Sequence, residues 1–518
     1  MMHLGQQNVT EIGRVLDPVL ERDPEREALV GSDRRLSYAE LDAAADRVAG
    51  ALFELGVRED DVVAVSLPNE TDVVVSFHAA MRLGAVWLGV NRNLAVPEKQ
   101  FILADADAVV VIADGDVAAG LAAREIPGPF VVASDARGGA PWQEMVAAAG
   151  SYPRARRQLD DTAGIAYTSG TTGRPKGVAH SHRNLLLPGA VLAESRGYGP
   201  SLRRGDCAAM TILNLQVTST LLAAQAGGTQ VVMDRVDAAG IASWVREERI
   251  TSWFGVPTML HDLAASPDVD PADLESLEDV WTGGTYLAEP IRERFEARFG
   301  KRVFATYGLT EVPTVVTIEP RGADHRPGSS GQVLPHLVVE IRDDLGEVLP
   351  AGVVGEITMR AAAEGSWAGW YRPMLGYRGH SAAMVPPVQD GVLHTGDIGE
   401  LDAAGNLLVR DRRTSLILRG GSNIYPAEVE RVLLELPGVV GAAVVGVDDD
   451  RLGQRVAAAI ELLPDAGIDA AQLDAHCGRS LARYKVPERW EFRPLPRNAM
   501  GKVVRPEVAD WFASDPLD

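Results

Sequence analysis

Short apolar runs alternate with helical stretches over the first 310 residues. Ser37 and Glu40 form a capping box, and the apolar positions that follow recur at helical spacing as far as Leu55. Buried strands are predicted at 62–67, 86–90, 109–113, 229–233 and 303–306. Alternation of this kind is typical of a mainly parallel sheet that is covered by helices on both faces.

The pattern changes from about residue 315, where turn residues crowd between short alternating segments. This texture predicts antiparallel strands up to about residue 410. After Asp411 the chain reads as a strand, a turn, a helix with Pro426 near its first position, two strands and a helix near 469–482. That length suffices for a small α+β domain, so we predict two domains, at 1–411 and 412–518.

Composition narrows the class of protein. With 46% hydrophobic and 24% charged residues, the chain has the balance of an ordinary globular protein. No uninterrupted apolar stretch is long enough to span a membrane, and the first residues lack the features of a secretory signal. Cys207 and Cys477 are too few and too far apart for a disulfide framework or a cysteine zinc site. These features predict a cytoplasmic protein.

The charge balance limits the partners. A formal net charge of −22 argues against general nucleic-acid binding, which needs a basic surface. It does not exclude a nucleotide ligand. Salt screens charges that are more than roughly 8 Å away, so a few nearby cations can bind a phosphate even on an acidic protein. Only five of the 50 lysine and arginine residues are lysines, at positions 99, 176, 301, 485 and 502. A lysine retained in such a chain is informative, since its compact charge suits a phosphate oxygen.

Lys176 lies in the stretch YTSGTTGRPKG, behind hydroxylated residues and glycines. Glycine lets backbone N–H groups approach an anion closely, and the hydroxyls add donors. The stretch is not a Walker A loop, because no serine or threonine follows Lys176, and Pro175 prevents a smooth helix. It predicts a phosphate-gripping loop made of Thr168, Ser169, Gly170, Thr171, Thr172, Gly173 and Lys176.

With the motifs that accompany it, this loop resembles the acyl-adenylate-forming superfamily of acyl-CoA synthetases, carrier-loading adenylation domains and luciferases. The other matching stretches, in chain order, are LSYAELDAAADRVAGAL, RLGAVWLGVNRNL, FGVPTML, WTGGTYL, TYGLTE, LHTGDIGELDAAGNLLVRDR, LRGGSNIYPAEVE and PRNAMGKVVRPEV. The resemblance implies an α/β fold. It comprises a large N-terminal domain of doubly wound, mainly parallel sheets with an antiparallel barrel-like subdomain, and a small mobile α+β C-terminal domain.

The resemblance implies three catalytic residues. Glu311 would bind a Mg²⁺ ion that bridges the ATP phosphates, since hard carboxylate oxygen suits that ion. Thr310 would donate to the α-phosphate. Lys502, in AMGKVV, would contact both the substrate carboxylate and the α-phosphate, where negative charge develops.

The resemblance also implies an ATP site. Tyr307 would stack near the adenine, and Asp397 would accept hydrogen bonds from both ribose hydroxyls. Besides the phosphate loop and Lys502, the predicted ATP-binding residues are Gly283, Gly284, Thr285, Tyr307, Gly308, Thr310, Asp397 and Arg412.

The acyl pocket is predicted around the stretch MTILNLQVTST. Asn214, Gln216 and Thr218 recur there at period two and would share one face of an extended segment. If that face lines the pocket, its polar groups disfavour a substrate with a plain alkyl chain and favour a compact acid that carries a hydroxyl or an amine. Trp253, Trp281 and Tyr286 nearby favour an aromatic acid. The opposite orientation is equally open. The predicted pocket is Asn214, Gln216, Thr218, Trp253, Phe254, Trp281, Gly283 and Tyr286.

The sequence departs from the family at the hinge between the domains. Arg412 matches the family pattern, but Thr414 and Ser415 replace the usual charged pair. In the family the small domain rotates here between two half-reactions, and Thr414 is the predicted hinge residue because rotation needs only a change in φ and ψ. The effect of the lost charges stays open. Gly420 and Gly421 are the predicted walls of a coenzyme A tunnel.

The activity implied by the resemblance is that of an AMP-forming carboxylic acid:CoA ligase, which uses ATP, Mg²⁺ and coenzyme A. The stretch RGGSNIYPAEVE favours the acyl-CoA synthetase branch. One alternative is an adenylating enzyme with another acceptor: the thiol of a separate carrier protein, an amine, or nitrite activated for diazotisation. The other is a non-catalytic nucleotide-binding homologue. The small-molecule acid and the oligomeric state, a homodimer included, stay open.

Overall fold

The computed structural model describes residues 11–122, 130–133, 141–168, 175–381, 386–420, 422–449, 451–464, 466–497 and 502–513. The β-strands are β1 (Glu27–Val30), β2 (Arg35–Ser37), β3 (Val62–Ser66), β4 (Val86–Gly89), β5 (Ala108–Ala113), β6 (Phe130–Ala133), β7 (Thr162–Thr168), β8 (Lys176–Ser181), β9 (Arg203–Asp206), β10 (Thr229–Val232), β11 (Ser252–Phe254), β12 (Asp279–Thr282), β13 (Val303–Leu309), β14 (Thr314–Ile318), β15 (Gln332–Val333), β16 (Leu337–Arg342), β17 (Gly355–Ala361), β18 (Gly376–Arg378), β19 (Val388–Gln389), β20 (Val392–Leu401), β21 (Leu407–Arg412), β22 (Ile417–Arg419), β23 (Ser422–Ile424), β24 (Val439–Asp449), β25 (Gly453–Leu462) and β26 (Arg489–Phe492).

The α-helices are α1 (Asp17–Leu20), α2 (Tyr38–Glu54), α3 (Thr71–Arg82), α4 (Val96–Asp105), α5 (Gly115–Ala122), α6 (Pro141–Ala148), α7 (His182–Arg196), α8 (Leu213–Leu215), α9 (Leu222–Ala226), α10 (Ala238–Glu248), α11 (Pro257–Ala265), α12 (Glu289–Phe299), α13 (Pro426–Leu434), α14 (Ala470–Ser480) and α15 (Arg505–Ala513). A π-helix, Gln216–Leu221, joins α8 to α9. Short 3₁₀ helices span Ile12–Arg14, Pro271–Leu274, Gly379–Ser381, Arg413–Ser415 and Arg483–Lys485.

Two mainly parallel sheets form the body of the large N-terminal part. One has the strand order β15-β14-β13-β12-β11-β9-β10-β1-β2 and is parallel from β13 to β1. The other has the order β18-β8-β7-β4-β3-β5-β6 and is parallel from β7 to β6. Helices α2, α3 and α7 contribute buried side chains to the largest core cluster. The predicted alternation of strands and helices is confirmed.

The region up to about residue 410 that was predicted to be antiparallel is antiparallel. Strands β16-β17-β20-β19 form a further sheet, with β21 paired to β20. The C-terminal segment forms its own sheet, β23-β22-β25-β24, with β26 paired to β25 and with α13 and α14 packed on its core. The α/β fold class is therefore confirmed, whereas the boundary at 411/412 stays a prediction. Within the described ranges, no helix combines the length and apolarity needed to cross a bilayer.

Local signals placed the helix starts correctly. The Ser37 hydroxyl accepts from the Glu40 N–H at 3.2 Å and the Glu40 carboxylate accepts from the Ser37 N–H at 2.8 Å, which completes the capping box of α2. Pro426 is the first residue of α13, where its missing N–H leaves no helical hydrogen bond unmade.

A buried carboxylate ties the largest sheet to α7 and to the segment after β14. Asp279, the first residue of β12, is completely buried and accepts from Arg196 Nη2 at 2.6 Å, from the Tyr198 hydroxyl at 2.5 Å and from Arg321 Nε at 3.1 Å. Burial alone would raise the pKa of Asp279, but the hydrogen bonds from Arg321 and Arg196 outweigh it and lower that pKa. Asp279 therefore stays ionised between two cations.

Candidate active site

The predicted phosphate loop connects two antiparallel strands. Thr168 ends β7 and pairs with Lys176, the first residue of β8, while Ser169, Gly170, Thr171, Thr172 and Gly173 lie outside the described residues. Lys176 Nζ stands 5.7 Å from the ring centroid of Tyr377 in β18. Burial, and then the charge of Glu311, raise the pKa of Tyr377. Sequence reasoning missed Tyr377, because nothing local shows that β18 pairs with β8.

Asp397, in the middle of β20, forms a polar cluster with Tyr307 of β13 and with Arg412 at the end of β21. The Tyr307 hydroxyl donates to Asp397 Oδ2 at 2.6 Å, and Arg412 Nε lies 3.1 Å from Oδ1. Burial raises the pKa of Asp397, an effect that Arg412 and the Tyr307 hydroxyl partly offset. Burial and the neighbouring Asp397 raise the pKa of Tyr307, so its hydroxyl remains a donor. Tyr307 thus orients Asp397; its stacking on adenine stays a prediction.

Lys502 reaches this cluster from the far end of the chain. A Cβ atom at Gly284, in the turn after β12, would lie 3.9 Å from Lys502 Cε. Burial and the charge of Arg412 lower the pKa of Lys502, while Asp397 and Glu311 act in the opposite direction. The structure therefore brings Lys502 into the same electrostatic environment as Asp397 and Glu311.

Thr310 and Glu311 form the turn that follows β13. The carbonyl of Thr310 accepts from His180 Nε2 at 2.7 Å. His180 is completely buried, which lowers the pKa of its imidazole to about 4, so the ring is neutral at pH 7 and carries its proton on Nε2. His180 is a second residue that the sequence did not reveal, since its partner is 130 positions away.

The remaining residues predicted for the ATP site, the coenzyme A tunnel and the hinge lie on several different elements. Gly283 and the exposed Thr285 follow β12, and Gly308 lies in β13 where the pairing register shifts. Gly420 lies in the turn between β22 and β23 and donates its N–H to the Leu452 carbonyl at 2.7 Å. Gly421 lies outside the described residues. Thr414 lies in the 3₁₀ turn Arg413–Ser415, between β21 and β22, where a hinge was predicted.

The predicted extended segment 214–218 is wrong, because the structure is helical here. Residues two apart in a helix point to nearly opposite sides, so Gln216 points away from Asn214 and Thr218, which are four apart and lie on one side. Gln216 is completely buried and donates to the Met210 carbonyl at 2.6 Å, and the Thr218 hydroxyl donates to the Asn214 carbonyl at 2.9 Å. These internal hydrogen bonds allow polar side chains to lie within a buried helix.

Of the aromatic residues predicted to line the acyl pocket, two are buried in the core and two are half-buried. Trp253 and Trp281 are buried in the core, and Arg204 lies 4.4 Å over the Trp281 ring. Phe254, at the end of β11, and Tyr286 are only half-buried. Burial, followed by the charge of Glu289, raises the pKa of Tyr286 to about 12. The indoles therefore stabilise the sheet, whereas Phe254 and Tyr286 are accessible.

Two family models match separate parts of the chain. The AMP-binding enzyme family matches residues 16–366, and the AMP-binding enzyme C-terminal domain matches residues 428–502. The long-chain-fatty-acid–CoA ligase FadD13 of Mycobacterium tuberculosis is 32% identical, over 93% of this chain and 94% of its own. A feruloyl-CoA synthase of an Amycolatopsis species is 34% identical, over 92% and 94%. The structure of the anthranilate CoA ligase AuaEII with anthranoyl-AMP superposes with a TM-score of 0.88 at 25% identity and covers 99% of both chains.

Proposed function

The chain belongs to the AMP-binding enzyme family, and we propose that it is an AMP-forming ligase that joins a compact aromatic or polar carboxylic acid to coenzyme A. ATP-dependent acid–thiol ligation with Mg²⁺ and coenzyme A is the activity of this branch, as its similar CoA ligases indicate. The observation that carries the proposal is that Lys502 belongs to the C-terminal segment yet lies beside Gly284 of the large N-terminal part, where the charges of Asp397 and Glu311 act on it.

The residues of the cluster suit the groups of ATP. Asp397 has the charge and hydrogen-bonding capacity to accept from two ribose hydroxyls. Lys176 offers a point charge to phosphate oxygens, and Glu311 offers carboxylate oxygen to Mg²⁺. Bound Mg·ATP supplies the adenylyl group. Lys502 then stabilises the negative charge that develops at the α-phosphate when the carboxylate attacks.

The proposed substrate class rests on the accessible side chains of the predicted pocket. Asn214 is half-buried, and its side-chain amide has no hydrogen-bond partner in the part of the chain that the structure describes. An unpaired amide favours a substrate with a polar substituent, since a plain alkyl chain would leave it desolvated. The half-buried Phe254 suits an aromatic ring. Ferulate and anthranilate, named in the similar proteins, are acids of this kind.

The experiment that tests the function is pyrophosphate release from Mg·ATP over a panel of carboxylic acids, with and without coenzyme A, followed by mass spectrometry of the products. We expect hydroxy- and aminobenzoates and cinnamates to be turned over faster than dodecanoate, and an acyl-CoA product. Release without an acyl-CoA product would identify another acceptor. Faster turnover of dodecanoate would refute the substrate class but not the ligase.

Asp397→Ala is expected to raise the KM for ATP by about a hundredfold or more, because two ribose hydrogen bonds to a charged group are lost and each contributes about 1.5–3 kcal/mol. Tyr307→Phe removes only the hydroxyl that orients Asp397 and should raise this KM less. Glu400→Ala is the matched control, since it breaks an ion pair with Arg410 on the same two strands without touching Asp397. An unchanged KM in Asp397→Ala would exclude Asp397 from the nucleotide site.

A further inference from the structure

Three separate segments of the chain meet at Asp105, the last residue of α4. Asp105 Oδ1 accepts from the backbone N–H and from Nδ1 of His380, at 2.7 and 2.8 Å, and Oδ2 accepts from the Tyr167 hydroxyl at 2.7 Å. The Asp105 side chain is only 6% exposed. Burial alone would raise the pKa of Asp105, but the hydrogen bonds from His380 and Tyr167 lower it, so the carboxylate is charged.

Tyr167 connects Asp105 to both stems of the phosphate loop. It directly precedes Thr168 in β7 and pairs with Gly177, the residue after Lys176 in β8. Its ring lies against Gly177: a Cβ atom at Gly177 would stand 3.0 Å from Tyr167 Cζ, closer than a side chain allows without displacing the ring. One ring, carried by β7 and anchored at its hydroxyl, therefore contacts β8 on the other side of the loop.

His380 connects Asp105 to the strand on the other side of Lys176. It follows β18, which pairs with β8 and carries Tyr377, the ring next to Lys176 Nζ. Gly379 between them has φ of +64°, and a Cβ atom there would lie 2.0 Å from Asp105 Oδ2. Only glycine permits the backbone to approach the carboxylate so closely.

The cluster lies behind the strands, on the side opposite Lys176. Successive side chains of a strand alternate between faces, so Tyr167 and Arg378 lie on one face of β7, β8 and β18, and Lys176 and Tyr377 on the other. A cavity of about 520 Å³, bordered by Ala106, Ile165 and Arg378, adjoins the cluster. Packing is therefore incomplete on this side, and hydrogen bonds supply more of the rigidity.

We propose that Asp105 is a positioning residue for nucleotide binding: through Tyr167 and His380 it holds β7 and β18 at either side of β8 and so sets Lys176 toward the phosphates. The identity of the anion rests on the proposed function. If the strands are already held in place before ATP binds, less conformational entropy is lost on binding and the affinity is higher. The role is indirect, because the hydroxyl of Tyr167 points away from the face that carries Lys176.

Tyr167→Phe tests this role, since it removes one hydroxyl and keeps the ring against Gly177. A hydrogen bond to a charged carboxylate corresponds to about a tenfold to hundredfold change. Because Tyr167 acts on Lys176 only through the strands, we expect the dissociation constant for ATP, measured by calorimetry, to rise by a smaller factor of about threefold to tenfold. The KM for the carboxylic acid should stay unchanged. The double variant Asp105→Ala/Tyr167→Phe should bind ATP no more weakly than Asp105→Ala alone, because Tyr167 acts through Asp105.

Tyr152→Phe is the matched control, because Tyr152 also donates to a carboxylate, Asp46 Oδ1 at 2.6 Å, away from the phosphate loop. Tyr152→Phe should lower the free energy of unfolding by about as much as Tyr167→Phe does, and it should leave the affinity for ATP unchanged. Unaltered ATP affinity in Tyr167→Phe, or an equal loss in Tyr152→Phe, would overturn the proposal. If the wild type binds ATP but releases no pyrophosphate with any acid, the proposed ligase activity is refuted. The comparison of ATP affinities between Tyr167→Phe and Tyr152→Phe still tests the positioning role in that case.

Discussion

Lys502→Ala is expected to lower acid-dependent pyrophosphate release by about 10²- to 10³-fold, the usual loss when a group that stabilises developing charge is removed. Lys502 is half-buried and within electrostatic reach of Asp397 and Glu311, at a site where electrostatic interactions are stronger than in water. Its charge acts mainly when the carboxylate and the α-phosphate come together. We therefore expect ATP affinity, measured by calorimetry, to change much less than the rate.

Lys301→Ala is the control for this variant. Lys301 is one of the few other lysines of the chain and donates to the Glu275 carbonyl at an exposed site. Its removal should leave both rate and ATP affinity as they are. Normal pyrophosphate release by Lys502→Ala would contradict the assignment, and an equal loss of ATP affinity and rate would show that Lys502 serves binding instead.

Asp279→Ala is expected to lower the free energy of unfolding by about 3–5 kcal/mol, the typical cost of removing one partner from a buried ion pair. The variant leaves the buried Arg196 without its carboxylate and removes the acceptor of the Tyr198 hydroxyl. Urea denaturation measures the change. Asp160→Ala is the control, because its two hydrogen bonds with Arg183 lie at an exposed site and should contribute about 0–1 kcal/mol. Similar losses in both variants would contradict the argument.

The same residue makes stability depend on pH. Because the pKa of Asp279 is lower in the folded chain than its usual value of 3.8, its contribution is fully present above about pH 4. The contribution is lost as the pH falls through the folded pKa, since the protonated carboxyl no longer pairs with the arginines. The free energy of unfolding should therefore fall less steeply below pH 4 in Asp279→Ala than in the wild type. Parallel profiles would argue against an ionised Asp279.

Much of the architecture could be predicted because its signals are local. The capping box at Ser37, the proline at the start of α13 and the alternation of apolar runs with helices each depend on residues close in sequence. The motifs around Lys176, Asp397 and Lys502 are local as well, and together they indicated the family. The polar spacing of two predicted an extended segment at Asn214–Thr218, but the segment is a buried helix. Its polar side chains can be buried there because they form hydrogen bonds with nearby residues.

By itself, the sequence determined the order of the elements, the fold class and the residue types that suit ATP. Only the tertiary structure decided which side chains hold those residues in place. His180 supports Thr310 across 130 positions, and Asp105 joins Tyr167 to His380, 275 positions away. Such contacts depend on sheet order and strand register, as when β18 leaves the antiparallel region to pair with β8. No local sequence pattern shows which strands pair with each other, because the pairing depends on how whole sheets bury their apolar faces and not on residues that are close in sequence.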